Sequence, residues 1–193
     1  MKKLFLSLAF LLPAMGMMAQ TQVKTAEGIL EGKDLSGIKV FKGVPFAAPP
    51  VGNLRWKAPQ PVQKWEGVRE AKEFGANPMQ EPIFGDMNFG TKTNSEDCLY
   101  LNIWTPAKKM NEHLPVLIYF NGGGLMAGSG SEPRYAGMTL ARNGIIAITA
   151  NYRAGIFGFF AHPELSKESE YKGSGNYGFL DHVAAIQWVK DKI

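Results

Sequence analysis

The chain has 193 residues, of which 45% are hydrophobic, 11% aromatic and 20% charged. This profile excludes a disordered or fibrous protein. Without Lys2 and Lys3 near the N-terminus, 19 basic residues face 17 acidic ones, so the net charge is only +2. A nucleic-acid-binding protein usually clusters its basic residues on one face. Because they are scattered along this sequence, we expect no nucleic-acid partner.

The first 19 residues have the pattern of a secretory signal peptide. Lys2 and Lys3 precede an apolar run from residue 4 to residue 12, and small or Met residues follow up to Ala19. The run is shorter than the roughly 20 apolar residues that span a bilayer, which disfavours the alternative of an N-terminal membrane anchor. We expect cleavage after Ala19 and a secreted or periplasmic protein without a stable membrane anchor.

Short β-prone runs separated by glycine turns open the mature chain and predict a β-meander. They lie at 23–25, 28–32 and 38–41. Prolines then recur from Pro45 to Pro82 without a long periodic segment, which predicts loops and short turns.

Strands and helices alternate in the second half of the sequence. Strands are predicted at 99–104, 116–120 and 145–150, a short helix at 135–143 and a longer helix after Tyr177. The second and third of these strands are nearly continuous apolar runs, typical of strands buried on both faces of a mainly parallel sheet. The alternation indicates an α/β architecture. The sequence stops at Ile193 on the last helix, and no strand follows to cover the apolar face of this helix. We therefore expect an incomplete domain.

A run of three glycines follows the strand at 116–120 directly, as Asn121-Gly122-Gly123-Gly124. Consecutive glycines let the backbone approach a ligand closely. The spacing of Gly122, Gly124 and Ala127 fits a loose dinucleotide pattern, but 128–133 breaks the helix that this pattern needs, and no acid ends the next strand. An oxyanion hole fits better. Each backbone N–H donor there stabilises the negative oxygen of a tetrahedral acyl intermediate by roughly 3–4 kcal/mol. A tight turn alone would not need three glycines.

Residues 95–106, Ser-Glu-Asp-Cys-Leu-Tyr-Leu-Asn-Ile-Trp-Thr-Pro, resemble the E-D-C-L-Y-L-N signature of the type-B carboxylesterases, the cholinesterase-like family of α/β-hydrolases. Other segments match the family in order: 41–56, 151–160 and 175–181. The resemblance implies that residues 20–193 are the N-terminal part of an α/β-hydrolase fold, a mainly parallel sheet with a β-meander, ending before the nucleophile elbow.

The same resemblance implies that Gly123 and Gly124 supply two oxyanion N–H donors for a serine esterase that forms an acyl-enzyme. The nucleophile would lie in a later G-x-S-x-G, which this sequence does not contain, and the acid and histidine would follow it. We therefore expect the chain alone to be inactive and these residues to lie outside any triad: Ser129, Ser131, Ser174, His113, His162 and His182. A small-molecule carboxylic ester and the missing C-terminal part of the domain are the expected partners, with no cofactor.

The alternative is a non-catalytic, cholinesterase-like binding protein. By the resemblance, Arg55 with Glu96 and Arg153 with Asp181 are internal ion pairs, although carboxylates near such a site could also act as general bases. Three departures from the family are these: Met79 stands where the first loop cysteine is usual, Asn121 replaces His or Tyr, and Leu125 replaces an aromatic residue. Cys98 should therefore be a buried free thiol, and three histidines with one cysteine form no zinc pattern.

Overall fold

The computed structural model describes residues 21–109 and 111–193, so the predicted signal peptide lies outside the described residues. Nine strands are found in them: β1 (Thr21–Lys24), β2 (Ile29–Leu35), β3 (Ile38–Pro45), β4 (Val68–Glu70), β5 (Asn77–Pro78), β6 (Asn94–Ser95), β7 (Tyr100–Thr105), β8 (Val116–Phe120) and β9 (Ile146–Ala150). The α-helices are α1 (Met138–Arg142), α2 (Gly155–Phe159), α3 (Pro163–Glu168) and α4 (Tyr177–Lys192), and short 3₁₀ helices occupy Gly52–Leu54 and Pro133–Tyr135.

One mixed sheet organises the chain, in the order β1-β2-β3-β7-β9-β8 with β4 beside β2. The predicted α/β class and the predicted meander β1-β2-β3 are confirmed. The expected mainly parallel pairing is found in this sheet only between β8 and β9 and between β2 and β4, whereas β7 is antiparallel to both β3 and β9. Parallel neighbours need a crossover connection, and α1 supplies one between β8 and β9.

Strand β8 is less buried in the described residues than the sequence predicted. All five residues of β9 are buried, as expected, but β8 is the last strand in the sheet order and is only partly covered. Val116 and Leu117 are each 41% exposed. Among the described residues, β8 has one neighbouring strand, β9.

Side chains of alternate residues along β7 and β9 point to opposite faces of the sheet and build two clusters. On one face, Leu101 and Ile148 pack with Ala185, Trp188 and Val189 of α4. On the other, Trp104 and Ala147 pack with Ala141 of α1. The long helix predicted after Tyr177 is thereby confirmed, and the helix predicted at 135–143 is a 3₁₀ turn followed by the short α1. Helices α2 and α3 were not predicted from the sequence.

The register of β8 and β9 sets the position of the candidate site. Phe120 pairs with Ala150, so the loops that follow the two strands leave the same edge of the sheet side by side. Helix α4 begins at this edge, where the backbone N–H of Arg153 donates to Asp181. None of the helices in residues 21–109 and 111–193 has the length and hydrophobicity of a membrane span.

Candidate active site

The glycine loop after β8 has a conformation that requires glycine. Gly123 and Gly124 have φ angles of +131° and +63°, a region that favours glycine. The N–H groups of Met126 and Ala127 both donate to the Gly123 carbonyl oxygen, at 3.1 and 3.3 Å, and close a tight turn. A Cβ added at Gly123 would lie 2.0 Å from the Ala127 carbonyl oxygen. No other residue fits Gly123 without moving the turn.

The turn leaves backbone donors unused. In residues 21–109 and 111–193, neither the Gly123 nor the Gly124 N–H has an acceptor. Unpaired backbone N–H groups at a preformed turn suit a negative oxygen that develops during a reaction. The role of Gly123 and Gly124 as oxyanion donors stays a prediction, and the loop has the donors that this role requires.

Asn121 holds the start of the loop. Its buried side-chain amide donates to the carbonyl oxygens of Gly122 and Ala127, at 3.2 and 3.4 Å. The backbone carbonyl oxygen of Asn121 accepts a hydrogen bond of 3.0 Å from the Tyr152 hydroxyl. The departure from the usual His or Tyr is therefore compatible with a defined loop, because the short amide reaches backbone groups on both sides of the turn.

Gln80 holds the end of the loop, and no sequence pattern had singled it out. Its Nε2 donates to the Gly128 carbonyl oxygen at 2.9 Å, and its Oε1 accepts from the Gly128 N–H at 2.7 Å. A third anchor lies between these ends, where the Gly155 N–H donates to the Leu125 carbonyl oxygen at 2.8 Å. Gln80 and Gly128 are far apart in the sequence, so only the folded chain reveals their contact.

The serines beside the loop have structural partners. Ser129 and Ser131 are buried, and their hydroxyl oxygens lie 2.9 Å apart. The Ser131 hydroxyl also donates to Asn77 at 3.1 Å, and Asn151 accepts from the Gly130 N–H at 2.8 Å. Buried hydroxyls engaged in this way stabilise the loop and are not placed to attack a substrate.

The three histidines lie apart from these serines. His182 packs against the rings of Phe120 and Tyr152, with centroid distances of 4.1 and 4.5 Å, and burial lowers its pKa. The Ser174 hydroxyl donates to the backbone oxygen of His162, not to the imidazole. His113 is exposed. Within the described part of the chain, no serine hydroxyl is hydrogen-bonded to an imidazole.

Both predicted ion pairs form. Arg153 and Asp181 are almost fully buried and are joined by side-chain bonds of 2.7 and 2.9 Å, with a further bond of 2.9 Å from the Arg153 N–H. Arg55 binds both carboxylate oxygens of Glu96, each at 2.5 Å. Because the carboxylates are fully engaged with arginine, they fit a structural role better than that of a general base.

Cys98 is a buried free thiol, as predicted. Burial raises its pKa, which keeps it protonated and unreactive. Met79 and Cys98 line the same narrow crevice, so Met79, which stands where the family resemblance places a partner cysteine, lies near Cys98. Among the described residues, no three His, Cys, Asp or Glu side chains are grouped closely enough to hold a metal ion.

Comparison with known proteins places these features in a family context. Residues 19–193 match the model described as "Carboxylesterase family". Fumonisin B1 esterase of Sphingopyxis macrogoltabida is 47% identical, with 88% of this chain and 31% of that protein covered. Phenmedipham hydrolase of Pseudarthrobacter oxydans is 41% identical, with 88% and 33% covered, and para-nitrobenzyl esterase of Bacillus subtilis is 40% identical, with 89% and 34% covered.

Solved structures show the same similarity. Carboxylesterase EST55 of Geobacillus stearothermophilus superposes with a TM-score of 0.78 at 43% identity, over 90% of this chain and 35% of that one. A structure of PNB esterase gives a TM-score of 0.78 at 36% identity, over 89% and 35%. These neighbours confirm the α/β-hydrolase fold, and the chain spans about a third of the length of the curated relatives it matches.

Proposed function

Because the chain belongs to the carboxylesterase family, we propose that it is the part of a carboxylic-ester hydrolase that carries the oxyanion loop. The observation that carries this proposal is the turn at Gly123 and Gly124, with two N–H groups unused among the described residues. Asn121, Gln80 and Gly155 hold the loop at its start, end and middle. A preorganised loop of this kind stabilises a transition state without reorganising during the reaction.

The proposed reaction proceeds through an acyl-enzyme. A serine outside these 193 residues attacks the ester carbonyl carbon and passes its proton to a histidine, which returns it to the departing alcohol. The negative oxygen of the tetrahedral intermediate accepts hydrogen bonds from the Gly123 and Gly124 N–H groups. Water then cleaves the acyl-serine bond. The substrate is a small-molecule carboxylic ester, and this mechanism requires no cofactor.

We also propose that residues 20–193 alone hydrolyse no ester, because oxyanion donors without a nucleophile have nothing to stabilise. The purified chain is assayed with p-nitrophenyl butyrate and should show only the background rate. Turnover above that of a Gly123→Ala control chain would contradict this proposal. The complete domain, with the remaining C-terminal part joined to this chain, should be active.

The DNA sequence downstream of this chain distinguishes the proposal from its alternative, a non-catalytic cholinesterase-like binding protein. Reading the encoding DNA beyond the codon of Ile193, in all frames, should reveal a G-x-S-x-G motif. The longer protein should then be labelled by a fluorophosphonate probe, and a Ser→Ala variant at that motif should not be. A substituted serine, or a longer protein that the probe does not label, would support the binding role instead.

The location of the protein is a separate proposal. Lys2, Lys3 and the apolar run at 4–12 support export and cleavage after Ala19, which gives a secreted or periplasmic protein. Expression in a Gram-negative host followed by mass spectrometry of the exported protein should show an N-terminus at Gln20. An uncleaved chain retained in the membrane fraction would support the anchor alternative.

A further inference from the structure

Asn102 is a buried polar residue within strand β7, with 4% of its surface exposed. It is paired across the sheet with Thr149 of β9, and paired residues of neighbouring strands point to the same face. Alternate residues of a strand also share a face, so Asn102 and Thr149 lie on the side of Trp104 and Ala147. This is the face that α1 covers.

The segment that follows the glycine loop crosses the sheet at this pair. The Gly130 carbonyl oxygen accepts hydrogen bonds from Nδ2 of Asn102 at 3.2 Å and from Oγ1 of Thr149 at 2.7 Å. A Cβ added at Gly130 would lie 3.0 Å from Oγ1 of Thr149, so glycine lets the backbone come this close to the sheet. The carbonyl of Gly130 is thereby bound by side chains of two neighbouring strands.

The Asn102 side chain is bound on its oxygen as well. Its Oδ1 accepts a hydrogen bond of 3.0 Å from the Gly43 N–H, and Gly43 lies in the irregular part of β3, where the register shifts between Phe41 and Val44. A buried amide with partners on both its oxygen and its nitrogen has one preferred orientation. Asn102 therefore connects β3 and β9 with the segment after the glycine loop.

Gly130 is fixed on its other side too. Its N–H donates to Oδ1 of Asn151 at 2.8 Å, so both backbone polar groups of Gly130 are bound by side chains. Residues 128–131 are all buried, and Gly128 at their start is the residue that Gln80 holds. The glycine loop therefore ends in a segment that is fixed to the sheet, as a preorganised set of N–H donors requires.

We propose that Asn102 and Thr149 are positioning residues of the candidate oxyanion loop. By fixing the Gly130 carbonyl on the sheet, they fix the turn at Gly123 and Gly124. This inference rests on the proposed function, because the turn serves the reaction only as an oxyanion site. Asn102 is the last residue of the E-D-C-L-Y-L-N segment, so part of that signature would serve the site from within the sheet.

Hydrogen–deuterium exchange of the purified chain tests whether the contacts at Gly130 control the turn. The Met126 and Ala127 N–H groups close the turn, so exchange in a peptide covering 121–128 reports its order. Thr149→Val has a similar shape and lacks the hydroxyl, so it should speed this exchange by about fivefold or more, the effect of one lost hydrogen bond. Asn102→Asp loses the amide donor and keeps an acceptor for the Gly43 N–H, and it should act in the same direction.

Two further variants are matched to these. Thr149→Ser keeps the hydroxyl and should exchange like the wild type. Ile103→Val shortens the neighbouring side chain of β7, which packs on the opposite face of the sheet, and should also leave the loop unchanged. Wild-type exchange in both Thr149→Val and Asn102→Asp would overturn the proposal, as would equal acceleration by Ile103→Val. Urea unfolding checks that each variant is folded, and either of the first two variants is sufficient for the test.

Kinetics of the complete domain separate positioning from substrate binding. Thr149→Val should lower kcat for p-nitrophenyl butyrate by about tenfold or more, since small displacements of catalytic groups are costly. KM should stay within about twofold, because the variant removes no contact to the substrate. A change in KM alone would contradict the positioning role. An inactive wild-type domain would instead contradict the proposed function, while exchange in the purified chain would still show whether Asn102 and Thr149 order the turn.

Discussion

Gln80 and Gly128, which are 48 positions apart in sequence, exchange two hydrogen bonds, one in each direction. This contact joins the long segment before β7 to the end of the glycine loop. Gly128 has a φ of +120°, and a Cβ there would lie 2.1 Å from Nδ2 of Asn121. Two of the three anchors of the loop, Gln80 and Asn121, therefore meet at Gly128.

We expect Gln80→Ala to loosen the loop while leaving the rest of the fold intact. The substitution removes three side-chain hydrogen bonds, and the two that reach Gly128 contribute about 1 kcal/mol each. Hydrogen–deuterium exchange of a peptide covering 121–128 should therefore become faster. Gln80→Glu keeps the acceptor for the Gly128 N–H and should have a smaller effect. Gln187→Ala, at an exposed glutamine of α4, is the control, and unchanged exchange in Gln80→Ala would show that the contact is dispensable.

The neighbouring glycines 122 and 123 offer a matched pair of substitutions. Gly123→Ala should lower the free energy of unfolding by about 1–3 kcal/mol, because the added Cβ meets the Ala127 carbonyl oxygen at 2.0 Å in a strained backbone. Gly122→Ala should be nearly neutral, since nothing lies within 4 Å of its Cβ. Urea unfolding measures the free energy of unfolding of both variants. In the complete domain, Gly123→Ala should lower kcat by about 10²–10³-fold, and equal effects of the two variants would count against the loop's role.

The buried pair of Arg153 and Asp181 should matter far more for stability than an exposed pair. Asp181→Asn leaves a buried arginine without its counter-charge and should lower the free energy of unfolding by about 3–5 kcal/mol. Asp86→Asn removes the exposed partner of Arg134 and should cost at most about 1 kcal/mol. Urea unfolding at neutral pH compares the two variants, and a similar midpoint for both would refute the structural role of the buried pair.

His182 should make the fold sensitive to acid. Burial lowers its pKa below the ordinary value of 6.5, so below that pH the unfolded chain binds more protons than the folded one. Its stabilising contribution is therefore fully present above about pH 6.5 and is lost as the pH falls through the folded pKa. His182→Phe should reduce the drop in urea midpoint between about pH 7.5 and pH 5. His113→Gln, at an exposed histidine, should retain the drop, and the same drop in both variants would disprove this assignment.

Motif order and hydrophobic pattern were enough to identify much of this protein. They predicted the family, the meander, the strand before the glycine loop and the helix beginning near Tyr177. The family resemblance also implied both ion pairs and the buried thiol of Cys98, which the structure contains. These features could be predicted because each depends on residues that are close in sequence or on a signature that spans a few positions.

The candidate oxyanion loop could be located without any structure, because three consecutive glycines after an apolar strand are more than an ordinary turn requires. How that loop is held depended on the folded chain. The contacts of Gln80 and Tyr152 join segments that are distant in the chain, and hydrogen bonds between such segments leave no periodic trace in the sequence.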